Sequence, residues 1–517
     1  MDLSDIIDRN AAFNPDKVAL RLGGSALTYA AFAERIVATA RALKSALGIA
    51  RGDRVAILSL NHPDYLVAFY ACARLGAMLV PLNWRLAPPE LAFILRDASV
   101  KALLVQRAFD TVIGQLAETL PGVHLVGIDH VPAGGVLLDD LIGAASGDGR
   151  QPHVDLELPL LIVYTSGTTG RPKGAVLRQQ AIVANAVMSQ HMHDMTGADH
   201  ILTVLPLFHV GGLNNQTTPA LQLGATVTLH ERFTPEATLA AIGTDRPSQI
   251  VLVPSTIEAM LGHADWATTP LDSLRAVSTG STQVPQRHID AFEQRGVPVV
   301  QIYGATETAP IAIYTRLSGE WWRRGTTGLP GLLCEARVVD AAGREVPHGS
   351  AGEVQVRGPN VLAEYWGNPQ ATAEALVEGW YNTGDIATRD AQGYFFIHDR
   401  KKNMIISGSE NIYPAEVERV LCAHPAIAEA AVVGLPDPRW QEVAVACVVL
   451  RQGMAASAVE IEAFCLAELA RYKVPRRYEF MAELPRNAMG KVQHFKLKDE
   501  IAEATGRSPD KASAAQP

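Results

Sequence analysis

Cysteine is scarce in this chain: five among 517 residues, at positions 72, 334, 422, 447 and 465, with no C-x-x-C pair. An odd, scattered set supplies neither a disulfide framework nor a zinc site and fits reduced thiols. Basic charge is not in excess, since 45 Lys and Arg stand against 54 Asp and Glu, a formal charge of −9. That balance argues against a nucleic-acid or anionic-membrane surface. A secretory leader is not evident either; Met1-Asp2-Leu3-Ser4-Asp5 is acidic where such a leader is basic and then apolar. The longest stretch without Asp, Glu, Lys or Arg, Ile201 to His230, contains Asn214, Asn215, Gln216, Pro219 and Gln222. Those groups are costly in lipid, so the stretch reads as buried strands and loops. No internal repeat is found, and a soluble, cytoplasmic protein without a membrane span is expected.

What is present is ordinary globular composition, 48% hydrophobic and 19% charged, in a chain long enough for about three units. Tyr29 to Leu47 carries apolar residues at helical spacing, Arg54 to Leu58 reads as a strand, and Tyr65 to Leu75 as a helix. Ala102–Val105 and Val123–Val126 are further short strands. Such alternation predicts a layered α/β domain with a mainly parallel sheet, resuming from Leu160 to about residue 315. Between Gly328 and Tyr394, short strands at 336–339 and 353–356 alternate with Gly/Pro/Asp turns, the pattern of a small antiparallel, barrel-like β unit. After Arg400-Lys401-Lys402-Asn403 comes an α+β segment with helices near 415–423 and 458–470. The last twelve residues, from Gly506, are Ala-, Ser- and Lys-rich and predict a disordered tail.

Residues 161–175 run from an apolar strand into a loop with three glycines, four hydroxyls (Thr165, Ser166, Thr168, Thr169) and Lys173. Glycines 167 and 170 let backbone N–H groups approach phosphate oxygens, hydroxyls donate further bonds, and the lysine neutralises charge. The spacing is not that of a Walker A loop. Taken alone, a Gly/Ser/Thr run is as readily a flexible surface loop.

The loop resembles the signature of the adenylate-forming superfamily, which includes acyl-CoA synthetases, adenylation domains and luciferases. Later motifs of that superfamily recur in order: Leu205 to Leu213 around His209, Gln301 to Thr308, Tyr381 to Asp385, His398 to Arg400, and Leu484 to Val492 around Lys491. Together they cover nearly the whole chain. The resemblance implies an α/β fold: a large N-terminal AMP-binding domain (1–399) of layered subdomains plus the β unit, a hinge (400–403), and a small mobile α+β C-terminal domain (404–505). It implies an acid–CoA ligase of the fatty acyl- or aryl-CoA branch, joining an acid to coenzyme A through an acyl-adenylate at the expense of ATP.

Roles follow residue by residue. Thr165, Ser166, Gly167, Thr168, Thr169, Gly170 and Lys173 would hold the phosphates. His209 would lie near carboxylate and phosphate, with Gly211 and Gly212 leaving room for an acid of some bulk. Glu307 would ligate Mg2+, in line with that ion's preference for few carboxylates plus substrate phosphates; Thr306 would touch the α-phosphate. Tyr303 would cover adenine, flanked by Gly280 and Ser281. Asp385 and Arg400 would take the ribose, Lys491 would neutralise charge as the adenylate forms, and Gly408 and Trp440 would serve coenzyme A, with Arg85, Lys473, Arg476 and Arg477 as phosphate partners. Singly, most of these would be packed or solvated side chains. The segment between His209 and Thr308, with Ile250 to Ser255 and Ser278-Thr279, would line the acid pocket; these residues are apolar or small and carry no positive charge, which favours a monocarboxylate, fatty or aromatic. Expected partners are a small carboxylic acid, ATP and CoA, with a homodimer left open and no nucleic acid. The alternatives are an enzyme loading a separate carrier protein, a light-emitting oxygenase, and an inactive nucleotide sensor.

Overall fold

The computed structural model describes residues 1–116, 121–165, 172–280, 284–319, 325–407, 410–437, 439–486 and 492–504. By contacts the chain groups into two compact units. The first comprises 1–337, 355–383 and 393–395, and the second 338–354, 384–392 and the chain from 396.

Local sequence sets the helices of the first unit. The helix Tyr29–Leu47 begins where the Thr28 hydroxyl accepts the Ala31 N–H and ends at Gly48, whose φ of 60° is left-handed. The helix Pro63–Leu75 starts two residues before the apolar spacing suggests. Pro63 suits the first helical position, and the His62 imidazole accepts the Asp64 N–H. All its residues except Pro63 and Arg74 are buried. It packs on strands of two different sheets, and such a sandwiched helix keeps no polar face.

Those sheets are the scaffold. One runs, edge to edge, Leu329–Pro330, Ile313–Tyr314, Val299–Tyr303, Ala276–Gly280, Gln249–Leu252, His200–Thr203, Thr226–Leu229, Val18–Leu22 and Ser25–Thr28. Its central pairings, from Val299–Tyr303 through Val18–Leu22, are all parallel. The other runs Glu364–Tyr365, Lys173–Arg178, Pro159–Thr165, Met78–Pro81, Arg54–Leu58, Ala102–Val105, His124–Gly127 and Val136–Leu137. The strand Glu364–Tyr365 pairs antiparallel with Lys173–Arg178, which carries a late segment of the chain to the edge beside Lys173. A third, five-stranded sheet is built from 335–339, 352–357, 376–377, 380–389 and 395–400, and residues 338–354, 384–392 and 396–400 of it group with the second unit.

The uncharged stretch 201–230 departs from expectation. Between its two strands it is helical from Val210 to Gln222, with a wide π turn at Leu213–Thr217. Pro219 has no N–H to return to the Asn215 carbonyl, and the Ser189 hydroxyl donates to that carbonyl instead. Asn185 Nδ2 donates to the Asn214 carbonyl at 2.6 Å. Buried on every side, the segment lacks the one-faced apolar pattern by which helices announce themselves.

In the second unit a sheet ordered Glu410–Ile412, Ile405–Ser407, Gln441–Leu450, Ile427–Asp437, with Arg477–Phe480 parallel to Gln441–Leu450, carries the helices Pro414–Ala423, Ala458–Glu468 and His494–Ala504. The fold is thus α/β with a large N-terminal domain and a smaller C-terminal one. No helix among the described residues is long and apolar enough to cross a membrane.

Candidate active site

In the first unit, Thr165 ends the strand Pro159–Thr165 opposite Lys173, and Thr165 Oγ1 donates to the Lys173 carbonyl at 3.4 Å. Ser166, Gly167, Thr168, Thr169 and Gly170 lie outside the described residues. The Lys173 ammonium stands 5.5 Å from the centre of the Tyr365 ring, and Tyr365 Oη donates to Glu307 Oε1 at 2.8 Å. Glu307 and Thr306 are buried in a 3-10 turn whose backbone is fixed twice. The Leu362 N–H donates to the Glu307 carbonyl at 2.8 Å, and Asn360 Nδ2 donates to the Thr308 carbonyl at 3.2 Å. Sequence reading did not find Tyr365; its place depends on the late strand reaching the sheet edge.

Tyr303 ends the parallel strand Val299–Tyr303, next to Gly280. A Cβ on Gly280 would lie 2.3 Å from the Ile302 carbonyl oxygen, so only glycine lets the two strand ends come this close. Ser281 lies outside the described residues.

His209 precedes the first turn of the helical segment, and its N–H donates to the Pro206 carbonyl at 3.2 Å. The Leu205–Leu207 loop is held by Asn61, which donates to the carbonyls of Leu205 and His230 and accepts from the Leu207 N–H. The Phe208 ring sits 6.0 Å from the imidazole and 6.1 Å from Trp84. The Arg85 guanidinium lies 4.7 Å over Trp84 and 5.9 Å over Phe208. Although part of His209 reaches the surface, its close surroundings lower the imidazole to about 4, burial first and the Arg85 charge second. At neutral pH His209 is therefore an uncharged hydrogen-bonding group. Arg85 is thus part of this aromatic cluster.

Two residues on from His209, at Gly211, lies a small recess of about 10 Å3, room for one water, lined by residues 202–205 and by Gly211, Gly212, Gln216, Thr217 and Val251, none of them charged. The two glycines differ. A Cβ on Gly211 would find only Asn215 Nδ2, at 3.9 Å, whereas one on Gly212 would lie 2.2 Å from the Pro206 carbonyl oxygen. Gly211 leaves room, as expected; Gly212 does not, because packing against the 205–206 backbone already fills its space.

In the second unit, Arg400 Nε pairs with Asp385 Oδ1 at 2.7 Å, the carboxylate buried and the guanidinium partly exposed. Burial, then the Arg400 charge, lowers the Lys402 ammonium. Trp440 is half-buried between two guanidiniums, Arg439 at 5.0 Å and Arg476 at 4.9 Å from its ring centre. Lys473 is engaged by Glu416 at 2.7 and 2.8 Å, and Arg477 by Glu479, so both already have anionic partners. Gly408 and Lys491 lie outside the described residues. Flanking Lys491, Arg486 and Val492 form an antiparallel bridge, and Arg486 pairs with Glu429 at 2.7 Å.

Residues 7–366 match the AMP-binding enzyme family, and residues 416–491 the AMP-binding enzyme C-terminal domain. The chain is 47% identical over 507 residues to the indoleacetate–CoA ligase of Aromatoleum aromaticum, covering 98% of this chain and 99% of that protein. It is 40% identical over 498 residues to a feruloyl-CoA synthase of Amycolatopsis sp, covering 96% and 98%. The crystal structure of the anthranilate CoA ligase AuaEII in complex with anthranoyl-AMP superposes with a TM-score of 0.90 at 28% identity, covering 98% of each chain.

Proposed function

Because the chain belongs to the AMP-binding enzyme family and is an ATP-dependent acid–CoA ligase of its adenylate-forming branch, we propose that its acid is an aromatic monocarboxylate held near His209, against the uncharged segment 202–217. The observation that carries this is the likeness over nearly the whole chain to ligases named for indoleacetate and ferulate, and the uncharged lining around Gly211, where no side chain covers the backbone, agrees with it. A second carboxylate would meet no cation among the described lining residues. Indoleacetate, ferulate and anthranilate, named for the three similar proteins, are all ring-bearing acids.

The reaction has two steps. The carboxylate oxygen attacks the α-phosphorus of ATP and pyrophosphate leaves, giving the acyl-adenylate. The thiol of coenzyme A then displaces AMP, giving the thioester. Neither step needs a covalent protein nucleophile; positioning and charge neutralisation do the work.

Neutral His209 is assigned the hydrogen bond to the carboxylate as it approaches phosphorus. The 165–170 loop and Lys173 are assigned the departing phosphates, Thr306 the α-phosphate, and Tyr303 with Gly280 and Ser281 the adenine. Glu307 suits Mg2+: it is a buried hard-oxygen donor aimed by Tyr365, and a lone carboxylate leaves the other positions to phosphate oxygens and water. When bound, the ion neutralises charge on the phosphates. Asp385, with Arg400 beside it, is assigned the ribose hydroxyls, and Lys491 the charge on the forming adenylate. Gly408 and Trp440 are assigned coenzyme A; flanking guanidiniums on Trp440 suit a ligand that joins an aromatic base to phosphates.

The test is pyrophosphate release with Mg-ATP and a panel of arylacetic, benzoic, cinnamic and fatty acids, with and without CoA. Acyl-CoA is confirmed by mass. CoA-dependent turnover of ring acids is expected; turnover of fatty acids alone would overturn the aromatic reading, and adenylate without thioester would point to a carrier protein as acceptor.

A further inference from the structure

We propose that Asn61 is a positioning residue for adenylation: through a single peptide plane it sets where His209 meets the substrate carboxylate. The inference rests on the role assigned to His209 above, and adds a side chain, distant in sequence, that acts on it only through backbone.

Asn61 follows the strand Arg54–Leu58, and the two segments it meets follow His200–Thr203 and Thr226–Leu229. All three strands run parallel to their neighbours, in two different sheets. Ligands of open parallel sheets bind beyond such carboxyl ends, and here the ends of two sheets are tied by one side chain. Asn61 is 2% exposed, and every end of its amide is engaged. Nδ2 donates to the Leu205 carbonyl at 3.0 Å and to the His230 carbonyl at 2.9 Å, while Oδ1 accepts from the Leu207 N–H at 2.8 Å. Two carbonyls and one N–H admit only one orientation of the amide. The residue is itself anchored: its own N–H donates to the Glu231 carbonyl at 3.1 Å, and the Leu60 N–H before it donates to Gln106 Oε1 at 3.0 Å.

The Leu207 N–H and the Pro206 carbonyl are two ends of one planar peptide group. Asn61 holds the first end. The second accepts the His209 N–H at 3.2 Å and lies against Gly212, where a Cβ would come within 2.2 Å of it. The Leu213 N–H donates in turn to the His209 carbonyl at 2.9 Å. His209 is thus suspended between a peptide that Asn61 orients and the first turn of the helical segment. Asparagine is the side chain this requires. Aspartate would set a carboxylate against two carbonyl oxygens, and leucine would leave three buried backbone groups without their partner.

The experiment is a double-mutant cycle in ATP–pyrophosphate exchange, with Mg-ATP and whichever acid of the panel above turns over fastest. Each rate is normalised to folded enzyme by circular dichroism. Asn61→Ala is expected to lower kcat/KM for the acid about 10- to 100-fold, the loss that misplacing a group by about 1 Å brings. In the His209→Ala background the same change should cost less than about threefold, because the group it positions is already gone. A purely structural Asn61 would lower the rate by the same factor in both backgrounds, and that result overturns the proposal. So does an Asn61→Ala rate within about threefold of wild type. If Asn61→Ala does not fold, Gln106→Met, which keeps the volume and removes the acceptor of the Leu60 N–H, takes its place in the cycle. Its smaller loss is expected to vanish beside His209→Ala, and a loss that persists there overturns the proposal equally. His209→Ala at the wild-type rate would sink the role assigned to His209 and this inference together. A large loss in His209→Ala with equal Asn61 factors in both backgrounds would sink this inference alone.

Discussion

Replacing Tyr365 by Phe removes one oxygen atom and isolates what holds Glu307. The Tyr365 hydroxyl donates to Glu307 Oε1 at 2.8 Å, and the Glu307 side chain is buried, so no water stands ready to replace that donor. A hydrogen bond to a charged group contributes about 1.5–3 kcal/mol. If that energy holds the carboxylate where Mg-ATP needs it, kcat/KM for adenylation falls about 10- to 100-fold at a tenfold per ~1.4 kcal/mol. The ring remains in Tyr365→Phe, so the aromatic face 5.5 Å from Lys173 persists and the lysine keeps its seat. Tyr365→Leu removes both and should be worse. The assay is ATP–pyrophosphate exchange titrated with Mg2+. The half-saturating Mg2+ concentration is expected to rise, and excess Mg2+ to restore part of the rate. The melting temperature should drop by only a few degrees, since about 1.5–3 kcal/mol is small against the unfolding entropy of so large a unit. Exchange rates and Mg2+ dependence within twofold of wild type would refute the claim that Tyr365 positions the carboxylate.

Three further expectations follow from other parts of the molecule. Gly212→Ala should destabilise the first unit by about 1–3 kcal/mol, through overpacking against the Pro206 carbonyl 2.2 Å away, and denaturant unfolding measures it. Gly211→Val should leave stability within about 1 kcal/mol yet raise KM for the bulkier acids, and equal destabilisation by both changes would contradict the difference drawn between the glycines. The His193 and His209 imidazoles, both lowered to about 4 by burial, contribute stability that is whole above the unfolded value near 6.5 and is lost as pH falls toward 4. Urea titrations should show stability falling by about 1.4 kcal/mol per pH unit per histidine across that window, and no change between pH 7 and 5 would refute the burial argument. Lys491→Ala should abolish adenylate formation far more than thioester formation from supplied acyl-adenylate; an equal loss in the two half-reactions would remove the lysine from the first step.

The residues assigned to the chemistry were legible in order along the chain through their resemblance to the superfamily's motifs. A strand running into a Gly/Ser/Thr loop with Lys173, the turn containing Thr306 and Glu307, and Asp385 and Arg400 each bring groups suited to phosphate, metal and ribose. Local elements were legible too. The apolar spacing of Tyr29–Leu47 coincides with the helix observed because it buries one face, and the continuous apolar run Arg54–Leu58 coincides with an inner parallel strand buried on both faces. The segment Val210–Gln222 was not legible as helix, since burial all round leaves no period to read, although its Asn-Asn-Gln inside an uncharged stretch was a sign that something polar is kept there.

What the sequence by itself determined, then, is composition, local element and chemical inventory. Tertiary structure alone decided the pairings: Tyr365 reaches Glu307 across 58 positions because the strand Glu364–Tyr365 adds to the edge beside Lys173. It decided that Arg85 lies over Trp84 and Phe208 and helps keep His209 neutral. It also decided which side chains the Gln216 amide NH2 meets, Gln249 and Ser278, which lie 33 and 62 positions away. The physical reason is common to all three. Periodicity and turn chemistry act over a few residues, whereas the order of strands in a sheet, fixed by burial of the whole core, sets which distant side chains share a hydrogen bond.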